Sequence, residues 1–93
     1  MADIEITETA IEAQRAYDAA DERVRKLVSQ LPPSTALASG EAEVTEEQRE
    51  AFAQARDDRL AALSTLRNER ARIDGEPIRV EKVLREAART SAQ

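Results

Sequence analysis

The sequence predicts an all-α protein: an antiparallel, coiled-coil-like helical hairpin with a short third helix, completed by self-association. Three observations predict it. A heptad stripe runs unbroken through the first third of the chain, a capping box opens a second long segment free of Pro and Gly, and Ala is the commonest residue, with eighteen copies. Alanine enters a helix without losing side-chain entropy. It buries little area, however, and burial stabilises by roughly 25 cal/mol per Å². Against the alanines stand seven Leu, five Ile, five Val, one Met, Tyr17 and Phe52. A chain of 93 residues with so few large apolar side chains makes a single helical domain with a thin core. A second copy or a partner commonly completes such a core.

The start of the chain is ambiguous. Ile4-Glu5-Ile6-Thr7 alternates like a strand, yet the first helix can also begin within it. Thr9 and Glu12 have capping-box spacing, with Asp3 and Thr7 as alternative caps for an earlier start. The first helix is expected over about 8–31. Ile6, Ala10, Ala13, Tyr17, Ala20, Val24, Leu27 and Leu31 recur at intervals of 4, 3, 4, 3, 4, 3 and 4. A period of 3.5 keeps such side chains on one seam facing another helix. The small alanines permit close approach, toward the short end of the roughly 8–10 Å interhelix range. That suits a tight hairpin.

Pro32-Pro33 stops this helix, because proline lacks the amide donor and disfavours helix at the preceding residue. Residues 32–44 read as a loop, longer than the about 2–8 residues usual between helices. Two conformations remain open: a mobile loop, or one lying along the helices with Leu37 and Val44 tucked in. Thr45-Glu46-Glu47-Gln48 is the clearest helix start, combining a capping box with two acids favoured by the helix dipole. The second helix is expected over about 45–74, ending at Asp74-Gly75. Pro77 suits the first turn of a third helix over about 78–90, although Ile78-Arg79-Val80 can also start extended.

The second helix is less regular. Phe52, Ala55, Ala62, Leu63, Leu66 and Ile73 share a face, but Arg59 and Arg70 fall inside the same stripe. An arginine there needs a carboxylate or a route to water. Asp18, Asp21 and Glu22 of the first helix are the candidate partners. Leu60 lies off to the side and implies a second apolar face, to be covered by the third helix or by another molecule.

Catalytic chemistry finds little support. There is no His and no Cys, which removes the commonest general base, thiolate nucleophiles and the usual zinc ligands. The two glycines are far apart, so no phosphate-cradling loop is formed. Glu41, Glu43, Glu46, Glu47 and Glu50 form the densest acidic run, without calcium-loop spacing. Helix-start electrostatics and solvation explain it better than a cation site. No catalytic residue, metal or cofactor is therefore expected. A carboxylate metal-binding bundle is the weakest of the functional readings.

Charge is uneven along the chain. Net charge is −5, yet residues 51–93 hold nine bases against seven acids. Interleaved acids and the lack of stacking aromatics favour a solvated or internally paired face over phosphate contacts. A nucleic-acid-associated regulator, antitoxin-like and using this Arg-rich half, is the alternative function. The ribbon-helix-helix pattern does not fit. The first helix is too long for it, and residues 4–7 carry no basic side chain.

The leading expectation is a non-enzymatic interaction module: a small helical adaptor, assembly factor or accessory subunit. Its helix seam is expected at Tyr17, Val24, Leu27, Leu31, Phe52, Leu63, Leu66 and Ile73. Arg59, Arg70, Arg79 and Arg85 are the candidate contacts to a partner or anion. The expected partner is a second copy or another protein, with nucleic acid less favoured. The acidic start and the absence of a long apolar run argue against a signal peptide or membrane span and for a cytoplasmic protein.

Overall fold

A computed structural model describes residues 4–91, and its described residues form four helices with no strand. The first, α1 (Glu8–Ser29), is capped by Thr7, whose side-chain oxygen accepts from the Ala10 amide at 3.1 Å. Thr7 therefore caps where Thr9 also had the right spacing. Thr9 falls inside the first turn, and Asp3 lies outside the described residues. Residues 4–7 are neither strand nor helix. The cap itself is extended, with Thr7 at φ −81° and ψ 154°.

α1 ends two residues before Leu31, at Ser29, and the chain turns through Gln30. The following segment is not simply a loop. It contains a short helix, α2 (Ser34–Ser39), closed by Gly40 at φ 80°. Pro33 enters this helix and Gly40 leaves it in the left-handed conformation, the usual asymmetry of helix ends. α2 packs against none of the other helices, while Leu37 and Val44 are half-buried.

The second long helix, α3 (Glu46–Ala71), carries the full capping box. The Gln48 amide donates to the Thr45 hydroxyl at 3.1 Å, and the Thr45 amide donates to Gln48 Oε1 at 2.9 Å. Glu46 and Glu47 occupy its first turn, where the helix dipole favours negative charge. It ends three residues before Asp74. Gly75 follows at φ 141°, a conformation that side chains rarely allow. α4 (Pro77–Ser91) begins on proline, and the Val80 amide donates to Glu76 O at 2.9 Å. Residues 78–80 are thus helical, not extended.

Cross-helix partners fix the topology. Gln14 meets Arg70, Asp21 meets Arg59 and Arg23 meets Asp58, so α1 and α3 run antiparallel. This is the helical hairpin. α4 packs back along α1 and only lightly on α3. The core sits at this three-helix end: Ala10, Ala13, Leu66 and Leu84 are buried, with Ile6, Ile11, Tyr17 and Ile73 packed against them. Leu66 and Leu84 are fully buried, each worth about 1.5–3 kcal/mol relative to exposure. The alanines let the backbones close on these few large side chains. The molecule is elongated, 59 × 25 × 19 Å, because the hairpin continues past the end of α4. The last turns of α4, at Arg85, Ala88 and Arg89, share a shallow groove with Arg15 and Asp18. Beyond that level α1 runs on for about three turns beside α3 alone.

Candidate interaction surface

The heptad stripe of α1 is the inner seam of the hairpin. Ala10, Ala13 and Val24 are buried, and Ile6, Tyr17, Ala20, Leu27 and Leu31 are half-buried. From α3, Leu66 is buried and Phe52 and Leu63 are half-buried, as is Ile73 in the turn after it. Of the eight expected seam residues, Val24 and Leu66 are buried and the other six are half-buried. Five of them fall into two groups along the hairpin. Tyr17, Leu66 and Ile73 belong to the core at the α4 end. Leu31 and Phe52 lie at the far end, where they line an open apolar groove with Val44, Ala53, Arg49 and Arg56. The Arg56 guanidinium stands 5.8 Å from the centroid of the Phe52 ring, within cation–π range.

The two arginines inside the α3 stripe resolve differently. Arg59 pairs with Asp21 at 3.4 Å across the hairpin, and both groups are partly shielded from solvent. Arg70 finds no carboxylate among the described residues. Its NH2 nitrogen donates to Gln14 Oε1 at 3.3 Å, and the Gln14 amide donates in turn to Asp18 at 2.9 Å. The expected ion pair is replaced by an amide relay, because Gln14 is the residue at Arg70's level. Gln14 is only 1% exposed and was not legible as a buried residue. Its one sequence signal is the four-residue spacing to Asp18, which pairs an amide with a carboxylate along one helix face.

Arg79 and Arg85 lie on exposed positions of α4, and Arg85 pairs with Glu81 within the same helix. Arg79 borders an open cleft of about 880 Å³ between the N-terminal segment and the turn from α3 to α4. Arg72 and Arg79 share that cleft with Glu5, Glu69, Asp74 and Glu76. Its mixed charge and open form offer no convergent set for an anion. Among the described residues no three acids gather closely enough to hold a metal ion. The acidic run from Glu41 to Glu50 is exposed at the hairpin tip. No helix among the described residues is long and apolar enough to cross a membrane.

Large apolar side chains remain in solvent. Leu60 is 60% exposed and Val28 49%, both on the hairpin, and Ile78 is 83% exposed on α4. α4 does not cover the face around Leu60.

Fold and surface together define a small all-α helical hairpin. Residues 9–70 match the family described as a domain of unknown function (DUF8825), and the chain belongs to that family. The matched segment spans α1, α2 and nearly all of α3, and stops short of α4. No curated protein and no solved structure matches the chain.

Proposed function

We propose that the protein is a non-enzymatic protein–protein interaction module, a small helical adaptor, assembly factor or accessory subunit. The observation that carries this reading is the incomplete cover of the hairpin. α4 packs along one end, and the other end leaves Leu31, Phe52, Val28 and Leu60 partly or largely in water. Exposed apolar side chains lining a groove are a common mark of a protein contact. The antiparallel pairing of α1 and α3 makes the free end a two-helix platform. The partner is another protein or a second copy, and the cytoplasm is the proposed location. Affinity purification from the native host followed by mass spectrometry tests the reading, alongside light scattering. A strict monomer that retains no specific partner would sink it.

A second reading has one observation of its own. Arg79, Lys82 and Arg89 are exposed on α4 with no ion-pair partner among the described residues. Such a face suits a nucleic-acid-associated regulator. Glu81 and Glu86 interrupt it, which is why it ranks second. Salt-dependent binding to DNA or RNA, abolished by Arg→Glu changes at 79, 85 and 89, would establish it; no binding at low salt would remove it.

A further inference from the structure

α3 carries a second stripe that the hairpin leaves largely uncovered. Arg49, Ala53, Arg56, Leu60, Leu63 and Arg67 recur at intervals of 4, 3, 4, 3 and 4. The seam of α3 centres on Ala55 and Leu66, and this stripe lies about a quarter-turn round from it. Leu63 is half-buried and the other five are exposed. A 3.5-residue period makes the stripe nearly straight along α3, the form another helix can follow.

The charges on it are unmatched. Elsewhere on the hairpin arginines have partners: Arg23 with Asp58, Arg25 and Arg59 with Asp21, Arg70 with Gln14, and Arg72 with Glu69. Arg49, Arg56 and Arg67 have no carboxylate partner among the described residues. The chain carries nineteen acids against fourteen bases, so unmatched arginines are not forced by composition. On the hairpin, all three fall on the stripe that also exposes Leu60. Arg56 is further held over Phe52 at the rim of the apolar groove.

We propose that this stripe, with the adjoining Leu31–Phe52 groove, is the docking site for an acidic amphipathic helix of a partner protein. The inference rests on the interaction-module reading and names the surface and the chemistry of its partner. The partner's apolar residues would cover Leu60 and Leu63, and its flanking carboxylates would meet the three arginines. Charge argues against a second copy here. A two-fold contact through this stripe sets arginines opposite arginines in either helix direction, and like charges facing each other are unfavourable. Phosphate backbones would also attract arginine, but the exposed leucine between the charges favours a helix.

The test uses the full chain and two synthetic helical peptides. Both have Leu at their seam; one has Glu on its flanks and the other has Lys in the same places. Fluorescence anisotropy at low salt should show the Glu peptide bound at least tenfold tighter than the Lys peptide. The doubly reversed variant R56E/R67E should lose roughly tenfold in affinity, about what two or more exposed ion pairs supply. Leu60→Ala should weaken binding, and R79E/R89E on α4 should not. A circular-dichroism melt of each variant separates lost binding from lost fold, since all the altered side chains are exposed.

Equal binding of the two peptides, or binding of neither, would overturn the proposal. So would a concentration-dependent dimer abolished by R56E/R67E, which would assign the stripe to a second copy. Competition by a duplex or single-stranded oligonucleotide, lost in the same variant, would assign it to nucleic acid. The two readings fail separately. A host protein retained equally by wild type and R56E/R67E would keep the interaction module and remove this site.

Discussion

Gln14 of α1 accepts a hydrogen bond from the Arg70 guanidinium of α3 at 3.3 Å, at a level of the hairpin where an uninterrupted seam would place hydrocarbon. The relay continues to Asp18 at 2.9 Å, so a buried amide links a cation on one helix to an anion on the other. Arg70 Nε is already buried without a hydrogen-bond partner, which makes the Gln14 oxygen important to it. Gln14→Leu removes that acceptor and should cost about 1–3 kcal/mol in denaturant unfolding, the usual penalty for orphaning a buried polar group. The double variant Q14L/R70M removes both partners and should recover much of the loss. A double-mutant cycle reads the coupling directly; strict additivity would contradict the relay.

α4 belongs to the core through Leu84. Leu84→Ala should cost about 2–5 kcal/mol, as fully buried leucines do. Leu60→Ala should change stability by no more than about 0.5 kcal/mol, because Leu60 is largely in solvent. Thermal melts of the two variants compare these directly. Equal costs would mean that Leu60 is covered in the protein in solution.

Thr7 and Thr9 compete in the sequence for one cap, and the geometry selects Thr7. Thr7→Ala should cost about 0.5–2 kcal/mol and Thr9→Ala almost nothing. Thr45→Ala, which breaks the capping box of α3, should fall in the same range as Thr7→Ala. Urea midpoints of the three variants settle the order.

The two glycines should respond unequally to substitution. Gly40 at φ 80° has open space around a would-be Cβ, so Gly40→Ala should cost about 1 kcal/mol from the left-handed backbone alone. At Gly75, φ is 141°, and a Cβ would lie 3.2 Å from Val80 Cγ2 and 3.3 Å from Ile4 Cδ1. Gly75→Ala should therefore cost more, about 1–3 kcal/mol. It should also loosen the packing of Ile4, readable as faster amide exchange near the start of α1.

The hairpin was legible because its signals are local and periodic. The heptad from Ile6 to Leu31 gave the α1 seam, and Thr45 with Gln48 gave the start of α3. The elements that escaped depend on short or cross-chain effects. α2 is six residues long, too short for periodicity to show, and only Pro33 and Gly40 marked its ends. Gln14 reads as an ordinary surface residue until Arg70 is brought opposite it, and that pairing spans the whole hairpin. Asp21 was among the three acids available to Arg59, but helix register had to choose it. The surface around Leu60 was visible as a residue off the main stripe. Whether α4 would reach it depended on the path of α4, which follows α1.

The central claim is that the uncovered stripe of α3, and not the exposed face of α4, carries the protein's interactions. The direct measurement is quantitative affinity capture from the native host, using wild type, R56E/R67E with Leu60→Ala, and R79E/R89E as baits of equal stability. The account predicts that a specific protein is retained by wild type and R79E/R89E and lost from the hairpin variant. Retention by the hairpin variant together with loss from R79E/R89E would contradict it.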